Sequence, residues 1–148
     1  MADIGFYHLT TSPLERALPK LLEKAVATGQ RIVVMAGSNE RVEALNALLW
    51  TYDPASFLPH GGARDGNAAE QPIWLTAKDE NPNGAKILVL ADGAASARLK
   101  DFARCLDMFD GNDAEAVANA RARWQAYKAD GHTLTYWQQN ERGGWEKK

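Results

Sequence analysis

The chain has 148 residues, 45% hydrophobic and 24% charged, which suits one globular domain with a core of its own. A formal net charge of −2 argues against strong direct binding to a nucleic-acid backbone, where a dense basic stripe is expected. The single cysteine, Cys105, excludes a disulfide framework and fits a reducing compartment.

The opening MADIGFYHLTTSP has neither a basic n-region nor a long apolar stretch, so no secretory leader is expected. No run reaches the roughly 18 apolar residues of a membrane span. IGFYHL at 4–9 reads as a short apolar strand. SPLERALPKLLEKAVATG then carries a helix start, with Ser12 as N-cap, Pro13 at the first helical position and Glu15 completing a capping box. Pro19 is expected to kink the first turns or to move the start beyond it, and Gly29 to stop the helix. RIVVMAG at 31–37 is a continuous apolar run, the pattern of a buried parallel strand, and Ser38 or Asn39 caps a second helix through ERVEALNALLWTY.

DPASFLPHGGARDGNAAEQ is rich in proline, glycine and small polar residues; SFLPH within it reads as a brief strand and 61–71 as a mobile loop. PIWLTA and AKILVLADG are two further strands around the turn-rich KDENPNG. SARLKDFARCLDMFDG reads as a short helix giving way to a strand near 105–109. Asn112 with Glu115 forms a capping box for a helix from about 113 to 130, stopped by Gly131. TLTYWQQ is a late strand, and residues from about 140 to 148 form a polar tail. Strands alternating with helices predict a single α/β domain over 1–148, a three-layer sandwich around a largely parallel sheet with helices on both faces.

A catalytic constellation is not predicted. VVMAGSNERV has the strand, glycine and helix order of an anion site at a strand end, which keeps a small nucleotide-binding α/β enzyme as an alternative. Neither G-x-G-x-x-G nor G-x-x-x-x-G-K-[ST] occurs, however. The carboxylates of CLDMFDGNDAE do not follow the spacing of a calcium loop, and acids at a helix start answer the helix dipole. His8, His60 and His132 share no ligand spacing with Cys105, which reads as a core residue rather than a nucleophile. Neither a metal nor a cofactor is expected.

Charge and aromatics single out the last third. Residues 101–120 hold five acids against Arg104, whereas 121–148 hold six cations against three acids. Within the last helix the stripe Val117, Arg121, Trp124, Lys128 has spacings of four, three and four, so one narrow face carries a branched apolar residue, two cations and an indole. A core face would not hold the cations, and a solvated face would not hold the indole. Two readings stay open: cationic stems lying over a half-buried ring, or a site for a peptide with both acidic and aromatic groups. Direct single-strand binding through this basic, aromatic third is a further alternative that the overall charge disfavours.

The segments FYHL, LWTYDPASFLPHG, PIWLT, NGAKILVLADG, CLDMFDG, RARWQAYKADGHTLTYWQQ and GGWEKK, in this order along the whole chain, resemble the chi subunit of bacterial DNA polymerase III holoenzyme. The resemblance implies a Rossmann-like fold without nucleotide chemistry, and a non-catalytic, cytoplasmic accessory subunit of the clamp-loader assembly at the replisome on the nucleoid. It implies two protein partners, with DNA contacted mainly through them and no membrane contact. One is the acidic C-terminal tail of single-stranded DNA-binding protein, which ends in phenylalanine and docks on the last long helix. The basic and aromatic positions for it correspond to Arg121, Trp124 and Lys128, beside Val117, and Gln125 stands where some relatives are basic. The other is the psi subunit, whose contact positions correspond to Trp50 and Phe57, with Pro59 and His60 alongside.

Overall fold

A computed structural model describes residues 3–52, 59–62 and 65–148. The runs IVVM, IWLT and ILVL are too short for buried helices and apolar on both faces, so they pair in the middle of a sheet. They form β2 (Ile32–Met35), β4 (Ile73–Thr76) and β5 (Ile87–Leu90), buried at every position. With β1 (Asp3–Leu9), β3 (Gly61–Gly62), β6 (Arg104–Asp110), β7 (Thr133–Gln139) and β8 (Trp145–Lys147) they make one sheet in the order β3-β4-β2-β5-β6-β1-β7-β8. Every pairing is parallel except that of β7 with β8.

Period-two alternation divides the core in two. Tyr7 and Leu9 of β1, with Leu106 and Met108 of β6, face α1 (Leu14–Val26) and α2 (Asn39–Thr51). Ile4 and Phe6, with Cys105 and Phe109, face the opposite side, where Ala120 and Tyr127 of α3 (Ala114–Ala129) pack. The expected α/β sandwich with helices on both faces is therefore present, two helices on one side and one on the other.

Several local details differ from expectation. Pro13, not Ser12, occupies the N-cap of α1, and its carbonyl accepts from the Arg16 and Ala17 N–H groups at 3.0 and 3.2 Å. Ser12 is drawn away because its hydroxyl accepts from Gln139 Nε2 at 2.8 Å, while Gln139 Oε1 accepts the N–H groups of Thr11 and Ser12 at 2.9 and 3.0 Å. Pro19 lies inside α1, and the helix ends at Val26, ahead of Gly29. Ser38 caps α2 as read, accepting from Arg41 N–H at 3.1 Å. For α3 the cap is Asp113, not Asn112, because Asp113 Oδ1 reaches the Glu115 N–H at 3.0 Å.

The expected short helix before β6 is a single 3-10 turn, Leu99–Asp101. The strand read at SFLPH falls mostly outside the described residues; the strand that pairs with β4 is Gly61–Gly62, followed by a 3-10 turn at Ala68–Glu70, so the segment read as a loop is partly structured. The polar tail also becomes structure. Residues Trp145–Lys147 pair with Trp137–Gln139, and Trp145 packs edge-on to Tyr7 at 5.1 Å.

One buried ion pair fixes α3 on the sheet. Asp107, 1% exposed on β6, accepts from Arg123 Nε at 2.7 Å and from its Nη2 at 2.9 Å. Burial pushes the carboxyl upward and the guanidinium opposes that shift. Removing one partner strands the other charge, so Arg123→Ala should lower unfolding stability by about 3–5 kcal/mol. The Asp107→Leu, Arg123→Leu double variant should recover most of the loss in denaturant titration.

Candidate functional site

Helical spacing places Val117, Ala120, Trp124 and Tyr127 of α3 toward the sheet, at intervals of three, four and three. Ala120 is small, so the helix comes close; Val117 and Trp124 stay half-buried at the edge of the contact. Between this edge and the sheet lies a groove of about 270 Å³. Val117, Ala120, Arg121, Trp124 and Gln125 line its helix side; Phe6, Phe109 and Tyr136 line its sheet side. The Trp124 indole meets the Phe6 ring edge to face at 5.2 Å and 67°, and the Tyr136 ring at 6.1 Å and 72°. Buried cavities of about 150 Å³ hold a benzene ring, so an aromatic side chain fits this space.

The mouth is cationic. Arg121 lies at the rim with an exposed side chain, and Lys128 is exposed two turns along, outside the groove lining. Among the described residues neither has a carboxylate within ion-pair distance, whereas Arg123 is engaged by Asp107. Four of the five positions read from the sequence, Val117, Arg121, Trp124 and Gln125, thus meet in one groove, with Lys128 beyond its end. The sheet-side rings were not singled out, because alternate apolar residues in strands look alike whether they face a groove or a sealed core.

A second feature is on the other face of the sheet. Trp50, near the end of α2, is 52% exposed and packs against His60 at a tilt of 42°, with ring centroids 4.3 Å apart. His60 is 4% exposed and its Nε2 lies 3.1 Å from the Asn46 carbonyl, so the histidine supports the indole from behind. Pro59 is half-buried beside it, and Phe57 lies outside the described residues.

The end of VVMAG does not favour a nucleotide. The nearest crevice, about 660 Å³ beside Arg41 of α2, is bordered by Glu15, Asp92, Asp110, Asp113 and Glu115, which repel phosphate, and its Arg123 is held by Asp107. Arg41 is already paired with Glu15 and, at 2.5 Å, with Asp92. Among the described residues no group of three or more histidine, cysteine or acidic side chains is placed to hold a metal. Burial pushes the Cys105 thiol up to about 12, which keeps it protonated in the core.

Comparison with known proteins decides the family. Residues 1–135 match the DNA polymerase III chi subunit family, HolC. The chain belongs to that family. It is 30% identical over 109 residues to "Probable DNA polymerase III subunit chi" of Rickettsia prowazekii (strain Madrid E), a stretch that covers 74% of this chain and 66% of the Rickettsia protein. Among solved structures it is similar to the C-terminal domain of the DEAD-box protein Dbp5, with TM-score 0.53, 11% identity and 91% and 90% of the two chains covered. That likeness shows the fold alone.

In this chi-family chain the histidine of β1 stands behind the groove. His8 packs against Phe109 at 5.0 Å and its Nδ1 is hydrogen-bonded to the Tyr136 hydroxyl. Burial lowers its proton affinity below the ordinary value near 6.5, and the nearby Arg121 charge acts in the same direction. The unfolded chain therefore binds the proton more readily than the folded one, and stability falls as pH drops through 6.5. Thermal melts at pH 7.5 and pH 5 should show a loss that is smaller in His8→Asn; equal losses would contradict this role of His8.

Proposed function

We propose that the chain is a non-catalytic accessory subunit of the DNA polymerase III clamp-loader assembly, acting in DNA replication as an adapter between two proteins. The α3 groove receives the acidic C-terminal tail of single-stranded DNA-binding protein, and the Trp50 patch, with Phe57 and Pro59, meets the psi subunit. One observation supports the first contact above the others: a ring-sized groove with aromatic walls opens beneath Arg121, which has no ion-pair partner among the described residues.

The energetics fit a short-lived handover. A phenylalanine ring buried against Val117 and Trp124 contributes roughly 1.5–3 kcal/mol. Each exposed pair of a tail acid with Arg121 or Lys128 adds about 0.2–1 kcal/mol, more where the guanidinium grips a carboxylate through two N–H groups. Gln125 can hydrogen-bond but adds no charge. After the ordering costs, affinity should be near micromolar, about −8 kcal/mol, and several tails on one oligomer raise the effective strength. DNA is then contacted mainly through the partners.

Titration of a labelled acidic peptide ending in phenylalanine tests this reading. Arg121→Ala should weaken binding about tenfold, equivalent to about 1.4 kcal/mol, and raising the salt should weaken the wild type but the variant less. Unchanged affinity in Arg121→Ala and in Trp124→Ala would remove the site. Trp50 and the groove lie on opposite faces of the sheet, so Trp50→Ala should leave peptide affinity unchanged while abolishing co-purification of psi.

A further inference from the structure

The far wall of the groove is held by a hydrogen bond made behind it. Tyr136 forms part of that wall and its hydroxyl is bonded to His8 Nδ1. The opposite edge of the imidazole, Cδ2 and Nε2, lies against Gly111. A neutral imidazole has one donor and one acceptor nitrogen. Nδ1 faces the Tyr136 hydroxyl, and with the proton on Nε2 it can accept the phenol proton. The Tyr136 hydroxyl is thus engaged by His8, and its ring meets the Trp124 indole at 6.1 Å and 72°.

Gly111 is needed for this arrangement. A Cβ there would lie 2.0 Å from the His8 ring and 2.5 Å from the Leu9 carbonyl oxygen, so any other residue displaces the imidazole. His8 also buttresses Phe109, a second wall of the groove, at 5.0 Å. The groups facing His8 are Asp110 at the end of β6, Arg121 of α3 and Tyr136 of β7.

We propose that His8, seated on Gly111, is a positioning residue that tethers Tyr136 and thereby sets the groove to prefer a terminal aromatic ring over an aliphatic side chain. This rests on the reading of the groove as a peptide site. Released from His8, the Tyr136 ring relaxes toward the space beside Trp124, and a flat ring loses more room than a branched alkyl group does.

The experiment measures Kd for three labelled acidic peptides with free carboxylates, identical except for terminal Phe, Leu or Ala. Wild type should prefer Phe over Leu by about fivefold or more. In Tyr136→Phe and in His8→Phe that preference should fall below about twofold, with Leu-peptide affinity within about twofold of wild type. The double variant should be no worse than either single, because both break one tether. His8→Asn, whose Oδ1 can replace Nδ1 as acceptor, should restore the preference, which a merely structural loss would not allow. Thermal melts show that each variant is folded, and Tyr136→Phe, which removes one oxygen, keeps the test valid if a His8 variant melts early. A full Phe preference in both Tyr136→Phe and His8→Phe, or equal binding of the Phe and Leu peptides by wild type, overturns this inference alone. Failure of wild type to bind any of the three peptides overturns it together with the peptide site.

Discussion

The rotation of α3 about its own axis decides what this face of the molecule can bind, and the pair of Arg123 with Asp107 holds that rotation. Asp107 is buried on β6 and cannot be left without a counter-charge, so Arg123 must point inward at one border of the helix. With position 123 fixed, Ala120 and Tyr127 press on the sheet, Trp124 is set at the other border, and Arg121 projects into solvent. The groove is a consequence. It is the space left where a helix contacts a sheet through alanine and is propped at its edge by an indole resting on Phe6.

Electrostatics separates the two ends of the sheet surface. The carboxyl ends of the parallel strands, the usual place for a phosphate ligand in such folds, are bordered by carboxylates, with Arg41 consumed by two of them. The helix side carries Arg121 and Lys128, which have no ion-pair partner among the described residues. A net charge near zero conceals this division. The basic third is smaller than a count of its cations suggests, because Arg123 is neutralised by Asp107.

Much of the fold was legible because its signals are unambiguous: buried runs such as IVVM and ILVL, Ser38 before α2 and Gly131, at φ +85°, after α3. Misreadings came from tertiary partners that sequence does not announce. Ser12 looks like a cap but is bound by Gln139, 127 residues away, and the tail hairpin depends on one indole meeting Tyr7. In α3 the alanines at 114, 116, 118, 120, 122, 126 and 129 carry no directional hydrophobic signal. The stripe through Val117, Arg121, Trp124 and Lys128 was therefore visible, while the true inward face through Ala120 and Tyr127 was not. Phe6, Phe109 and Tyr136 were unreadable as groove walls, since they are brought to α3 by three different strands.

The proposed adapter role requires an acidic, aromatic-ended peptide to occupy the space between α3 and the sheet. Backbone and side-chain NMR shift mapping of the full chain with such a peptide tests it most directly. The account predicts saturable shifts confined to Val117, Arg121, Trp124, Gln125 and the rings of Phe6, Phe109 and Tyr136, with contacts from the peptide ring to the Trp124 indole. Shifts centred on the Trp50 face or the strand-end crevice, with the α3 groove unmoved, would contradict it.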